Sequence, residues 1–147
     1  MTSVCFVTST RADYGIQQNL IRLFNSDKEI DTHIIVTGTH LLKKFGNTLD
    51  EIKEDGFRIS KKIKILDHNN RDKPNSIINT TSLAVKKLGN ALSQLKPSIV
   101  ILLGDRYEIF ASAIAASFLK IPICHFHGGE VTVGVIDEFI RHAITKM

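Results

Sequence analysis

Four short segments of this sequence combine carboxylate, guanidinium or imidazole side chains with hydroxyl groups or glycine, and each follows an apolar stretch. They are Thr8–Asp13, Thr37–His40, Gly104–Glu108 and His125–Glu130. Carboxylic acids and imidazoles transfer protons, and a guanidinium group binds phosphate through a fixed fork of donors. In open α/β sheets, ligands bind beyond the carboxyl ends of the strands. We therefore expect the four segments to share one rim of a sheet.

The third segment carries Asp105 and Arg106 to the start of a predicted helix. A helix N-terminus favours anions through its free amide groups and its dipole, so this pair indicates a phosphate site. The alternative is that Asp105 only caps the helix. Arg11 has a comparable alternative, an ordinary salt bridge in place of phosphate binding. Asp13 has one too, since it can simply cap the first helix.

The fourth segment places two histidines and a carboxylate around Gly128 and Gly129. Glycines allow the backbone to approach a ligand closely. His125, His127 and Glu130 are residue types that bind zinc, but no further spacing supplies the additional firm ligand that a catalytic zinc site needs. We therefore expect no metal and no cofactor, and we expect His125 to be a hydrogen-bonded core histidine.

Alternating strands and helices must position these segments. Five strands are predicted, at residues 4–8, 31–37, 59–66, 98–103 and 122–126. Helices are predicted at residues 14–24, 76–95, 107–119 and from about 137, with a helical turn at 49–55 and a mobile polar loop at 67–75. This order predicts an α/β fold, a Rossmann-like parallel sheet between helical layers. On the last helix, Asp137 and Arg141 are four residues apart, which predicts an intrahelical ion pair.

The overall composition excludes several classes of protein. The 147 residues include 43% hydrophobic and 23% charged residues, and the net charge is +4. That balance is typical of one globular domain, and it lacks the dense basic runs of a nucleic-acid-binding protein. Cys5 and Cys124 lie in apolar runs and are expected to be buried free thiols. Without a signal sequence or membrane span, we expect a cytoplasmic protein. Phosphate-loop and dinucleotide glycine motifs are absent.

Taken together and in this order, the motifs resemble those of the hydrolysing UDP-N-acetylglucosamine 2-epimerases of sialic-acid and legionaminic-acid synthesis. The segments that carry the resemblance are Thr10–Gly15, Gly104–Glu108, His127–Glu130 and Ile136–Met147. The resemblance implies that residues 1–147 form the N-terminal Rossmann-like domain of a two-domain enzyme of the GT-B type. It also implies a UDP-sugar between the domains, and a homo-oligomer for the full-length enzyme.

The resemblance further implies a reaction and a set of roles. UDP leaves by anti elimination to give a 2-acetamidoglucal, which is then hydrated to a sugar of manno configuration. Asp105, Glu130, Asp137 and His127 are the implied catalytic residues. The residues implied to bind the substrate are Arg11, Asp13, His40, Arg106, Gly128 and Gly129. Some relatives carry a catalytic glutamate at the position of His127, so either Glu130 or His127 performs that proton transfer here.

The helical stripe is still running at Met147, so we expect the chain to be cut there, without the second domain and with little or no activity alone. The substitution at His127 also leaves the sugar open, either UDP-N-acetylglucosamine or a UDP-2,4-diacetamido-2,4,6-trideoxyhexose. Two alternatives remain. One is half of a GT-B glycosyltransferase, and the other is a non-catalytic domain that binds a nucleotide or a protein partner.

Overall fold

The computed structural model describes residues 1–42, 46, 48–65, 74–133 and 136–147. Five parallel strands form one sheet in the order β3-β2-β1-β4-β5. The strands are β1 (Thr2–Thr8), β2 (Ile30–Val36), β3 (Lys61–Lys62), β4 (Ile99–Leu103) and β5 (Ile123–Phe126). The helices are α1 (Arg11–Ser26), α2 (Thr48–Glu54), α3 (Pro74–Leu95), α4 (Tyr107–Phe118) and α5 (Ile136–Lys146).

The sheet lies between two helical layers, which confirms the predicted three-layer α/β fold. On one face, Phe6 and Ile34 pack with apolar residues of α1 and α2. On the other face, Val7 and Leu102 pack with residues of α3 and α4, and with Ile144 of α5. The central strands are buried on both faces, as parallel strands between helical layers must be.

The chain order makes β1 and β4 neighbours at the point where the direction of winding changes. From β1 the chain proceeds outward to β2 and β3, and it then returns to add β4 and β5 on the other side. Such a switch point opens a crevice at the carboxyl ends of the two central strands. The loops that follow Thr8 and Leu103 therefore emerge side by side, as the sequence predicted for a shared rim.

Several element boundaries differ from the predicted ones. Helix α1 begins at Arg11 and not at Tyr14, because Thr10 and Asp13 form a capping box that adds a turn. Helix α3 begins at Pro74, which was predicted to lie in a loop; proline suits a first helical turn. Residues 67–73 of that loop lie outside the described residues.

The edge strand is shorter than predicted. Residues 59–66 alternate like a strand, but within the described part of this segment, residues 59–65, only Lys61 and Lys62 pair with β2. Ile63 and Ile65 are buried and bring the apolar side of this segment into the core. The alternation of apolar and polar residues therefore predicted correctly that one face of this segment is buried. It did not predict how many residues pair with β2.

Both cysteines are free thiols, as expected, but only Cys5 is fully buried, and Cys124 is half-buried. Burial raises the pKa of the Cys5 thiol to about 12, so it is a packing residue and not a nucleophile. None of the helices among the described residues has the length and apolar character needed to cross a membrane.

Candidate functional site

Asp105 is held by Arg141, a residue of α5 that lies 36 positions later in the chain. The guanidinium donates to Oδ2 of Asp105 from Nε at 2.8 Å and also from Nη2. Its Nη1 donates to the backbone oxygen of Glu130 at 2.8 Å and to Oγ1 of Thr132 at 2.9 Å. The hydrogen bond to Asp105 raises the pKa of Arg141. One side chain thus joins the loop after β4, the turn after β5 and α5.

This contact corrects two interpretations of the sequence. Asp105 does not cap α4, because the N-cap residue is Arg106 and no side chain caps it. The intrahelical pair of Asp137 and Arg141 is also wrong, because Arg141 turns to Asp105 instead. Asp137 is exposed in the first turn of α5, where a carboxylate is favoured by the helix dipole.

Arg106 is fixed by Glu108, a fully buried carboxylate that the sequence interpretation did not single out. Nε and Nη2 of Arg106 each donate to one oxygen of Glu108 at 3.1 Å, in the two-pronged geometry that arginine favours. Burial opposes the charge of Arg106, but Glu108 outweighs it and leaves the pKa of Arg106 raised. The Arg106 side chain is 45% exposed, so it keeps a surface for an anion.

The turn after β5 packs tightly against α5 through its first glycine. The Nε2 atom of His125 lies 2.7 Å from the backbone oxygen of Gly104, and its Nδ1 lies 3.2 Å from Oγ1 of Thr145. A Cβ on Gly128 would lie 2.7 Å from that Oγ1 and 2.9 Å from that Nδ1. His125 is hydrogen-bonded as predicted, although its ring is half-buried and not in the core.

His127 and Glu130 form an exposed pair on the outer side of the same turn. Nδ1 of His127 lies 2.8 Å from Oε1 of Glu130. His127 has a φ of 60°, in the left-handed region, and Gly129 follows with 75°. The sequence analysis left open which of these two side chains transfers the proton. The structure brings them into contact.

Asp13 and His40 belong to a buried polar network at the ends of β1 and β2. Asp13 accepts hydrogen bonds from the backbone and hydroxyl of Ser9 at 3.0 and 2.8 Å, and from Thr8. His40 lies 2.9 Å from Oγ1 of Thr8 and 3.0 Å from Oγ1 of Thr48. Asp13 is therefore a capping residue, as its alternative stated. Contact between either side chain and a substrate stays a prediction.

Arg11 lies on the surface and pairs with Glu51 at 3.1 Å. Its side chain is 73% exposed, so the salt bridge stabilises the fold little. The cavity of about 450 Å³ beside it is also lined by Glu54 and Asp55, and this acidic lining disfavours a phosphate inside the cavity. Phosphate binding by Arg11 stays a prediction that requires the side chain to leave Glu51.

Backbone hydrogen bonds tie the loops into one rim. The amide of Thr37 donates to the oxygen of Thr8 at 2.9 Å, and the amide of Gly104 donates to the oxygen of Phe126 at 3.2 Å. The Asp13 carboxylate contributes to the raised pKa of Arg106, so the two halves of the rim lie within electrostatic reach. Among the described residues, no three potential ligands form a metal site.

Sequence reasoning missed Glu108 as the partner of Arg106, and Arg141 as the partner of Asp105. A signal for Glu108 was present, because it stands two residues after an arginine at the start of an apolar helix. No local signal could pair residues 105 and 141, which meet only when α5 packs against α4.

Comparisons with known proteins place this arrangement among its relatives. A family model described as UDP-N-acetylglucosamine 2-epimerase matches residues 22–147. A polysialic acid biosynthesis protein P7 of Escherichia coli is 43% identical over the whole chain. A GDP/UDP-N,N'-diacetylbacillosamine 2-epimerase (hydrolyzing) of Campylobacter jejuni is 42% identical over 98% of the chain. The chain spans 37% of the length of each relative.

A solved structure shows the same fold. The UDP-GlcNAc 2-epimerase from Neisseria meningitidis, bound to UDP-GlcNAc, superposes with a TM-score of 0.83 at 22% identity. The superposition covers 99% of this chain and 38% of that one.

Proposed function

Because this chain belongs to the UDP-N-acetylglucosamine 2-epimerase family, we propose that it forms one half of a hydrolysing 2-epimerase that acts on a UDP-linked 2-acetamido sugar. One observation carries the proposal. Arg141 holds Asp105 at the switch point of the sheet and also anchors the turn that presents His127 and Glu130. The rim thus combines acid–base groups with Arg106, an anion-binding side chain.

The proposed reaction needs both kinds of group. A base removes the proton at C2 of the sugar, the electron pair forms the C1–C2 double bond, and UDP leaves from C1. Water then adds to the glycal and gives the free sugar of manno configuration. Asp105 is the proposed acid or base, because its carboxylate is fixed and half-exposed. Arg106 and Arg11 are proposed to bind the diphosphate, and Asp137 is proposed as a further functional carboxylate.

The identity of the sugar is the finer part of the proposal. The Campylobacter jejuni relative is named for a diacetylated bacillosamine, whereas the structurally similar Neisseria meningitidis enzyme was solved with UDP-GlcNAc. We therefore propose UDP-N-acetylglucosamine and UDP-2,4-diacetamido-2,4,6-trideoxyhexose as the two substrates to compare.

The test uses the full-length protein that carries this chain, incubated with each sugar nucleotide and no acceptor. We expect UDP and a free manno-configured sugar in equal amounts. Asp105→Asn removes the ionisable group, and we expect the rate to fall about 100-fold or more. Asp31→Asn is the matched control, because Asp31 is an exposed carboxylate near the start of β2, and the amino ends of the strands lie opposite the rim.

Two results would contradict the proposal. If UDP were released only when an acceptor sugar is added, the protein would be a glycosyltransferase. If nucleotide bound with no turnover of either substrate, the domain would be a binding module.

A further inference from the structure

The turn that carries His127 and Glu130 is rigidly attached to the rest of the rim. Arg141 donates to the backbone oxygen of Glu130, and the packing of Gly128 leaves no space even for a methyl group. A surface turn held this firmly presents its two polar side chains at a defined place. That place follows β5, whose carboxyl end lies beside the loop of Asp105.

We propose that His127 and Glu130 act as one catalytic dyad, in which Nε2 of His127 removes the C2 proton and Glu130 orients the imidazole. This inference rests on the proposed function and names the base within it. His127 and Glu130 thus have different roles in the same step and are not alternatives to each other.

The hydrogen bond decides which nitrogen is the base. An ionised carboxylate only accepts hydrogen bonds, so at 2.8 Å from Oε1 of Glu130 the Nδ1 atom of His127 must carry the hydrogen. The neutral imidazole then has its free electron pair on Nε2. This side chain is 50% exposed, and in the described part of the chain no hydrogen bond engages Nε2. A substrate in the crevice can therefore meet that nitrogen.

The proton transfer balances without any other reactant. Nε2 takes the C2 proton, and the imidazole becomes an imidazolium. The C–H electron pair becomes the second bond between C1 and C2, and the C1–O bond breaks with its electrons going to UDP. The carboxylate of Glu130 stabilises the imidazolium, and the exposed ring then returns its proton to solvent. Hydration takes both the hydroxyl on C1 and the hydrogen on C2 from water.

The first test is chemical rescue of His127→Gly in the full-length protein. Glycine adopts a φ of 60° without strain, so this variant keeps the turn. We expect kcat to fall about 100-fold or more while KM changes about twofold or less, and added imidazole to restore part of the rate. A loss of proper folding would not be rescued by a small base.

The second test separates Glu130 from the other exposed carboxylates. Glu130→Ala removes the acceptor of the Nδ1 hydrogen bond, so it should lower kcat about tenfold or more and reduce the Nδ1–H form of His127 in the ¹⁵N spectrum of the imidazole. Glu138→Ala is the control, because Glu138 also lies beside a histidine, at 3.8 Å from His142. That variant should keep the rate and the spectrum of His127.

The wild-type protein tests the proposed reaction, and the two variants test the dyad. A wild-type protein that releases no UDP from either sugar would refute the proposed function. An active wild type whose His127→Gly variant keeps more than half of kcat, or is not rescued, would refute the role of His127. An unchanged rate for Glu130→Ala would refute the role of Glu130.

Discussion

The hydrogen-bond partners of the buried His40 show which protonation state its ring has. The hydroxyl of Thr8 has one hydrogen, which it donates to Asp13, so it must accept from Nε2 of His40. The hydroxyl of Thr48 is then free to donate to Nδ1. Both bonds fit the neutral ring. Burial lowers the pKa of His40, and this effect outweighs the nearby Asp13 carboxylate, which acts to raise it.

This environment predicts a dependence of stability on pH. The pKa of His40 is lower in the folded state than in the unfolded state, so the unfolded chain binds the proton more readily. The stabilisation is therefore complete above about pH 6.5 and is lost as the pH falls toward the lowered value, by up to about 1.4 kcal/mol per pH unit. Urea unfolding at about pH 7.5 and about pH 5.5 measures the difference.

Substitution identifies the group responsible for this dependence. We expect His40→Asn to reduce the loss of stability between the two pH values, and the half-buried His142→Asn to leave it unchanged. Equal losses in wild type and His40→Asn would contradict the assignment to His40.

For individual residues, the sequence indicated which side chains belong to the candidate site better than it indicated which side chains they contact. It identified Asp105 and Arg106 as a pair worth attention, and the structure gives each a different partner. Local patterns express short-range preferences, such as capping and helical ion pairs. The contact between Asp105 and Arg141 depends on the packing of α5 against α4, which no local pattern encodes.

Among the elements, the turn between β5 and α5 requires glycine at position 128, because a larger side chain would not fit there. An added Cβ would displace either Oγ1 of Thr145 or Nδ1 of His125, which contact each other. We therefore expect Gly128→Ala to lower the free energy of unfolding by about 1–3 kcal/mol. Gly15→Ala is the control, because nothing lies within 4 Å of its added Cβ and alanine favours the helix.

Thermal and urea unfolding of the two variants check this expectation. Gly15→Ala should be as stable as wild type or about 0.5–1 kcal/mol more stable. Equal stability of Gly128→Ala and wild type would show that the turn can move away from α5.

The elements themselves were largely predictable, because their apolar periodicity is strong. The continuous apolar run before Gly104 became β4, and the spacing of Leu88 and Leu92 marked the buried face of α3. Boundaries were less predictable, since they depend on caps. The capping box of Thr10 and Asp13 extended α1, and β3 pairs with β2 over two residues.

At the scale of the whole molecule, the most important feature is the rim formed by the loops at the carboxyl ends of the strands. The chain spans 37% of the length of its relatives, and we propose that a second domain completes the cleft. We therefore expect residues 1–147 alone to release little or no UDP from either sugar nucleotide. Robust release by this polypeptide would contradict the need for a second domain. Homo-oligomerisation and a cytoplasmic location stay predictions.

The position of Arg141 in the chain has a consequence for biosynthesis. The ribosome completes the loop of Asp105 first, and 36 positions separate that carboxylate from the arginine that neutralises it. A nascent chain that has emerged only through β5 therefore lacks Arg141, the side chain that holds Asp105. The loop of Asp105 is therefore secured only after α5 has been synthesised and has packed against α4.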